Sequence, residues 1–459
     1  MQRYCVLPVH PTNRRGHWIN VKVLIIKYLG FLYVDKGGFS GILSTFVSMK
    51  RILPTITFIL VLAACCRTEN YQPTGTASEG PAWLFLEKGP VNLSSKMDTV
   101  GSFKLALVTD LSLMGPQQDT IFTEDVTIGA DSLLNVCLGA LEAGFYEVRL
   151  ADKHFNIGVR PDEVVSLPDA REDFDAFWNS TLDNLAEIPL EAEWCPMPEN
   201  SNDVRQSFKI SYKSLDGGVA GGIVCIPNAP GKYPVHIQYM GYGADVYPFD
   251  PSANPDRIDF LVSVRGQGIF RESEGRWIDR GLSSKEEFYY RGAFADVKRA
   301  VDFAASLEKA DTDKLIAYGE SQGGAFTVVA AALDGRIKAI APAVPFMGDF
   351  PDYGKIVSWP VHEVLAAADA QGLSHEAVYD LLSYFDVKNF APRVKCPVFM
   401  SFGLQDPVCP PHTNFAIYNN LGSKEKHFLC VPTCGHQMWR EEVWPPVRAE
   451  FFDNAVLIP

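Results

Sequence analysis

Hydrophobic and polar positions follow two regimes along this chain. From about residue 81 to 165 the pattern is short alternating runs broken by turn residues. Ser102–Val108 alternates and stops before Met114-Gly115-Pro116. Thr120–Phe122 and Asp125–Ile128 read as two short strands, with Gly129-Ala130-Asp131 as a turn. Gly144–Leu150 and His154–Val159 read as a closing hairpin. Near-regular strands without a long helix predict a small β-sandwich. After Arg160 the period changes. Asp173–Leu185 carries apolar residues at helical spacing. Strands are then expected at Val235–Tyr239, Asp259–Val264, Leu315–Tyr318, Ala339–Ala341, Val398–Ser401 and Lys426–Val431, with helices at Ala293–Leu307 and Ala325–Leu333. That alternation predicts an α/β domain over residues 166–459, a mostly parallel sheet with helices on both faces. Functional residues in such a sheet belong beyond the carboxyl ends of its strands.

The first 80 residues fit neither regime. From Met49, Lys50 and Arg51 form a short positive start, and Ile52–Ala64 is a mostly apolar run of 13 residues ending at Leu62-Ala63-Ala64-Cys65. A positive start, an apolar run and small residues before a cut site describe a secretory signal. The run falls short of the ~20 residues that span a bilayer. Residues 65–80 are polar and rich in Thr, Ser, Gly and Pro, as a tether is. A signal belongs at a start, so translation is expected to begin at Met49, with residues 1–48 upstream of the true start.

Composition excludes several classes. With 47% apolar and 21% charged residues over 459 positions, the chain is neither disordered nor collagen-like. The net charge of −14 argues against a nucleic-acid partner. Residues 1–64 hold eight basic side chains and one acidic, so the remainder stands at −21. Of the 10 cysteines, Cys430 and Cys434 flank a turn and are a candidate disulfide, with buried free thiols as the alternative. No paired Cys-x-x-Cys or His/Cys array is present, and no metal site is expected.

The chemistry is concentrated at Gly319-Glu320-Ser321-Gln322-Gly323-Gly324, between an expected strand and an expected helix. That is G-x-S-x-G in its strand–turn–helix setting, with Ser321 as nucleophile. The glycines remove side chains from a tight turn that lifts the hydroxyl above the sheet. The helix start offers the Gln322 N–H to a developing oxyanion. A serine needs a base and a carboxylate to orient it, in the chain order Ser, Asp, His. Asp406 lies in the loop after Val398–Phe402, ahead of Asp349 and Asp352, which are carried further out, and of Asp386 in an insertion. Of three later histidines, His436 lies in the loop after the last strand. His412 is the runner-up, read as solvated or helix-terminal, and His427 begins a strand. The second oxyanion donor is expected from Met240-Gly241-Tyr242-Gly243, as the Tyr242 N–H, with its ring as a candidate pocket wall.

Three stretches make the resemblance specific: Arg265-Gly266-Gln267, Gly319-Glu320-Ser321-Gln322-Gly323, and the acid loop Gly403-Leu404-Gln405-Asp406-Pro407-Val408-Cys409-Pro410-Pro411. Residues from about 173 to 452 resemble carbohydrate esterase family 7, the acetyl xylan esterases and cephalosporin C deacetylases. The resemblance implies an α/β-hydrolase fold and a triad of Ser321, Asp406 and His436. It implies an oxyanion hole from the Tyr242 and Gln322 backbones, with Arg265 and Gln267 as structural supports. No cofactor or metal is implied. Homo-oligomers with inward-facing sites are a property of the family. Leu-Ala-Ala-Cys resembles a bacterial lipobox, which makes Cys65 the lipidated N-terminus and places the protein at the cell envelope on a membrane anchor. One departure stands out. Where the family carries a His-Glu signature, this chain reads His436-Gln437, and Gln437 supplies no charge. The expected layout is residues 49–64 as signal, 65–80 as tether, 81–165 as an Ig-like sandwich and 166–459 as the hydrolase. The expected reaction is release of acetate from an acetylated oligosaccharide through an acyl-enzyme. The alternatives are a deacetylase of small acetyl esters, a serine peptidase of similar fold, and a silent glycan-binding lipoprotein.

Overall fold

A computed structural model describes residues 75–77 and 82–456, apart from 274 and 441. The signal, the lipidation position Cys65 and residues 1–48 lie outside the described residues, as does the Trp439 side chain. Among the described residues no helix is long and apolar enough to cross a membrane.

The larger sheet has ten strands. In chain order its members are β1 (Gly75–Ala77), then, after the N-terminal β-module, β9 (Glu193–Pro196), β10 (Arg205–Lys213), β11 (Val219–Pro227), β12 (Tyr233–Tyr239), β13 (Ile258–Ser263), β14 (Ala310–Glu320), β15 (Ile337–Ala343), β16 (Val398–Gly403) and β17 (Lys426–Val431). Their spatial order is β1-β17-β16-β15-β14-β12-β13-β11-β10-β9. From β1 to β13 neighbours run parallel, while β11, β10 and β9 are antiparallel. The central strands are buried on both faces, so β13, β16 and most of β15 read as apolar runs, while β12 places His236 and Gln238 between Val235, Ile237 and Tyr239. Helices Tyr289–Ser306 and Gln322–Leu333 pack on this sheet and share its core with Phe260, Phe294 and Phe326. Strand order changes direction at β12–β14, and the Ser321 turn leaves the carboxyl end of β14 there.

The N-terminal β-module holds two sheets. Five strands pair as β2-β8-β7-β4-β5, from Leu84–Phe85, Lys153–Val159, Gly144–Leu150, Gly101–Thr109 and Thr120–Ile128. Two more, β3 (Pro90–Lys96) and β6 (Leu133–Ala140), pair with each other. Both sheets contribute to one core, which includes Leu93, Leu107, Leu134, Val148 and Ile157.

One expectation differs from the structure, one strand was not expected, and of the two readings of Cys430 and Cys434 the unbridged one holds. Thr120–Ile128 is one continuous strand: Thr123 and Glu124 pair with Ala106 and Leu105, and most of the strand is exposed, so its alternation lapses without a break. β3 escaped notice because its third inward position is Ser95, a polar residue that accepts a hydrogen bond from Trp83 Nε1 at 3.2 Å. Cys430 and Cys434 are separate buried thiols.

Candidate active site

Ser321 has φ 57° and ψ −118°, a left-handed conformation that a side-chain-bearing residue adopts at a cost of ~1–3 kcal/mol. The turn is possible because the chain crosses itself closely. A Cβ on Gly323 would lie 2.1 Å from the Tyr239 carbonyl oxygen, and one on Gly319 would lie 2.5 Å from the Gly323 carbonyl oxygen. The Ser321 N–H donates to the Ala343 carbonyl at 3.0 Å, and the Ser321 carbonyl accepts from Phe346 and Ala325 N–H groups, both at 3.0 Å. The turn is therefore bonded on both sides of the nucleophile.

Asp406 and His436 arrive on loops after β16 and β17. These two strands pair in register from Val398–Lys426 to Gly403–Val431, so the two loops leave side by side. Gly403 lets them touch: a Cβ there would lie 2.4 Å from the carbonyl oxygens of both Cys434 and Gly435. His436 Nδ1 lies 2.9 Å from Asp406 Oδ2 and 3.2 Å from Oδ1. His436 Nε2 lies 3.1 Å from Ser321 Oγ. Asp406 is 3% exposed, and its Oδ1 accepts N–H groups of Val408 at 2.8 Å and Cys409 at 2.9 Å. A fixed carboxylate on Nδ1 keeps the proton there and leaves the Nε2 lone pair facing the serine hydroxyl.

Behind Ser321 is a buried amide network. Gln267 and Gln322 exchange hydrogen bonds, Gln322 Nε2 to Gln267 Oε1 at 3.0 Å and Gln267 Nε2 to Gln322 Oε1 at 3.2 Å. Gln267 Oε1 also accepts the Gly243 N–H at 3.0 Å, which ties the Tyr242 loop to the Ser321 turn. Gln267 Nε2 donates to Tyr289 Oη at 2.9 Å, and Tyr290 Oη donates to Gln322 Oε1 at 2.9 Å. Burial raises the pKa of both phenols, so they stay protonated. Arg265 is held at Asp296 through Nε to Oδ2 at 2.9 Å and Nη2 to Oδ1 at 2.7 Å. Tyr289 Oη donates to the Arg265 carbonyl at 2.7 Å. Gln322 opens its helix, where an N–H has no intrahelical acceptor.

The Tyr242 ring packs edge-on against Trp277 at 5.0 Å, Trp359 at 5.9 Å and Phe346 at 6.5 Å. Sequence reasoning missed the two tryptophans and Phe346, because nothing in their spacing ties them to the nucleophile. It also missed Cys409, a buried thiol whose Sγ lies 3.5 Å from Tyr353 Oη. Burial first, and then the Asp406 charge, push this thiol far above its usual range, so it remains neutral.

The other candidates sit elsewhere. Asp386 accepts the N–H groups of Asp349 at 2.9 Å and Phe350 at 2.8 Å, and burial raises its pKa to about 7. Asp349 Oδ1 meets Lys388 Nζ at 2.8 Å. His412 is helix-terminal, in the first turn of Pro411–Asn420, and buried rather than solvated; it is 5% exposed, with Nδ1 3.1 Å from Asp110 Oδ2 and Nε2 3.5 Å from Asp352 Oδ2. Burial opposes its charge, but Asp110 above all, with Asp352 and Asp349, pushes its pKa up to about 10. The ligand atoms of Asp349, Asp352 and His412 lie within 4.8 Å of one another, a metal-like grouping among the described residues. Lys388 and a charged imidazole already supply the positive charge there. His427 is buried beside Phe399, with Nε2 4.0 Å from Glu425. Gln437 accepts a hydrogen bond from Arg440 Nη1 at 2.9 Å on the exposed surface.

Residues 164–443 match the family model described as acetyl xylan esterase (AXE1). Acetyl esterase Axe7A of Xylanibacter ruminicola is 23% identical over 426 residues, covering 84% of this chain and 93% of that protein. That alignment is longer than the family match and so reaches beyond the α/β domain. Two solved structures have TM-scores of 0.59: acetyl xylan esterase 1 from Thermoanaerobacterium sp. JW/SL YS485, at 25% identity, and the acetyl xylan esterase from Paenibacillus sp. R4, at 29%. Each covers 64% of this chain and 98% of its own.

Proposed function

The chain belongs to the acetyl xylan esterase family, and from that premise we propose that it removes acetyl groups from acetylated xylan or xylooligosaccharides through a Ser321–His436–Asp406 acyl-enzyme. It is a carboxylic ester hydrolase on an α/β-hydrolase fold. The observation that carries the proposed roles is the bridging imidazole, 3.1 Å from the serine on one side and 2.9 Å from the carboxylate on the other.

In the proposed reaction His436 Nε2 takes the Ser321 proton as Oγ attacks the acetyl carbonyl carbon. The carbonyl oxygen becomes an oxyanion held by the Gln322 and Tyr242 N–H groups, and the network through Gln267 supports both donors. Collapse breaks the ester C–O bond, and the imidazolium returns its proton to the departing sugar hydroxyl. Water, deprotonated by His436, then attacks the acetyl-serine and releases acetate. The aromatic wall of Tyr242, Trp277, Trp359 and Phe346 bounds the space available to the acyl group.

Acetate release from acetylated xylooligosaccharides, compared with acetylated cephalosporin and longer acyl esters, tests the substrate. A clear preference for the cephalosporin ester or a longer acyl group would replace xylan in this reading. The Leu62–Cys65 pattern supports an exported, lipid-anchored protein, and the family resemblance supports a homo-oligomer. Intact mass of the native protein tests the first, since a mature species retaining residues 1–48 contradicts it. Sedimentation tests the second.

A further inference from the structure

The acid loop is gripped from outside the α/β domain. β8 of the N-terminal module runs past its start. There the Asn156 N–H donates to Gln405 Oε1 at 2.7 Å, Gln405 Nε2 donates to the Asn156 carbonyl at 3.0 Å, and Asn156 Nδ2 donates to the Leu404 carbonyl at 3.1 Å. Gln405 Nε2 also reaches the Pro432 carbonyl at 2.8 Å, so the same amide joins the loops that carry Asp406 and His436. At the far end of the acid loop, His412 is held at Asp110, in the turn after β4. Phe145 of β7 packs on both His412 and Phe415, at 6.3 and 5.7 Å between ring centres, and belongs to the α/β core. The Met114 N–H donates to the Lys355 carbonyl at 3.0 Å and fixes the same turn against the helix Phe350–Ile356.

We propose that the N-terminal β-module is a structural part of the esterase site, and that Gln405 is a positioning residue through which β8 sets the place of Asp406 relative to His436. The proposal rests on the triad reading above. Gly403 locks the start of the loop after β16 against the His436 loop, and the segment that carries the carboxylate is held from the module as well. Within its own domain the loop is held by the Gln405 N–H on the Cys434 carbonyl at 2.9 Å and by the Val408 and Cys409 N–H groups on Asp406, and the module adds one contact on each flank of Asp406. Gln405 stands directly before the carboxylate, so losing its three side-chain hydrogen bonds loosens the loop against the module and against the His436 loop together, leaving Asn156 Nδ2 on the Leu404 carbonyl and the Gln405 N–H on the Cys434 carbonyl. A displacement of about 1 Å in a catalytic group can cost ~100-fold in rate.

The test is phosphonylation of Ser321 by a fluorophosphonate, which replaces fluoride on phosphorus with the serine oxygen and needs the same His436 activation. The rate constant and the final stoichiometry are read separately for full-length wild type, Gln405→Ala, Gln405→Glu and Asn419→Ala. Gln405→Ala is expected to reach full labelling with a rate constant lower by about 10- to 100-fold. Gln405→Glu keeps an acceptor for the Asn156 N–H but sets an acceptor oxygen against the Asn156 and Pro432 carbonyls, and should recover none of the loss. Asn419 Nδ2 bonds the Pro161 and Val164 carbonyls, away from the acid loop, and its alanine variant should label at the wild-type rate. A Gln405→Ala rate constant equal to wild type, or a loss confined to stoichiometry, overturns the positioning role. Wild type that is not labelled at Ser321 overturns the triad reading instead.

Discussion

The two sides of the site are supported in different ways. The nucleophile side is held from within the α/β domain. Its turn is bonded through β14 and β15, and two buried amides, Gln267 and Gln322, clasp each other behind it. The acid side hangs on a loop whose outer contacts, Gln405 to Asn156 and His412 to Asp110, cross to another set of sheets. A nucleophile turn must hold a strained backbone, which favours dense local bonding. A carboxylate acting through an imidazole needs only the right position, which a neighbouring module can supply. Accuracy at one site is thus built in one case into the turn and in the other into an interface.

The largest effect should come from the point where the sides meet. Ser321→Ala is expected to lower turnover of an acetyl ester by at least ~10³-fold with the fold intact, by steady-state kinetics and circular dichroism. Asp406→Asn, which keeps shape but loses the anion facing Nδ1, should cost ~10³–10⁴-fold. A rate near wild type for either variant would end the triad assignment.

Next comes the contrast itself. Gln267→Ala removes a buried amide and strands Gln322, so it should lose stability, by about 1–3 kcal/mol in urea titration, as well as rate. Gln405→Ala, in a half-buried interface, should lose more rate for less stability. Equal ratios of rate loss to stability loss in the two variants would erase the distinction drawn between the sides.

A smaller effect is a pH slope. Folding raises the His412 pKa from 6.5 to about 10, so the stability that this contributes is present in full below about pH 6.5 and is lost as pH rises through 10. Between these values the native state holds a proton that the unfolded chain releases. Asp110→Asn should flatten the fall in melting temperature between pH 7 and 9.5; an unchanged slope would show that the interface ion pair carries none of it. The smallest expected effect is none: reductant should leave the melting temperature unchanged, because Cys430 and Cys434 are not bridged to each other. A drop would mean that a bridge is present.

How much of this was legible in sequence depends on how local the cause is. The parallel strands and the Ser321 turn declare themselves by apolar runs and by glycines that a tight crossing demands. Arg265-Gly266-Gln267 is visible as a motif, but the reciprocal amide pair is not, because Gln322 lies 55 residues away. Asn156 and Gln405 are separated by 249 positions, and neither residue type stands out. The burial of His412 was missed for the same reason. Its partner Asp110 is 302 residues upstream, and only that contact makes a buried charged imidazole tenable. The inward Ser95 shows the converse, a polar residue hiding a strand because its partner Trp83 is invisible to alternation.

Tyr242 has one further consequence. Its side chain belongs to the aromatic wall, while the N–H proposed to meet the oxyanion belongs to the main chain and survives every substitution except proline. Chemistry and fit are thus carried by separable halves of one residue. On the proposed reading residue 242 is a tuning position: varying its side chain is expected to change the breadth of acyl groups admitted while the charge-stabilising donor stays in place.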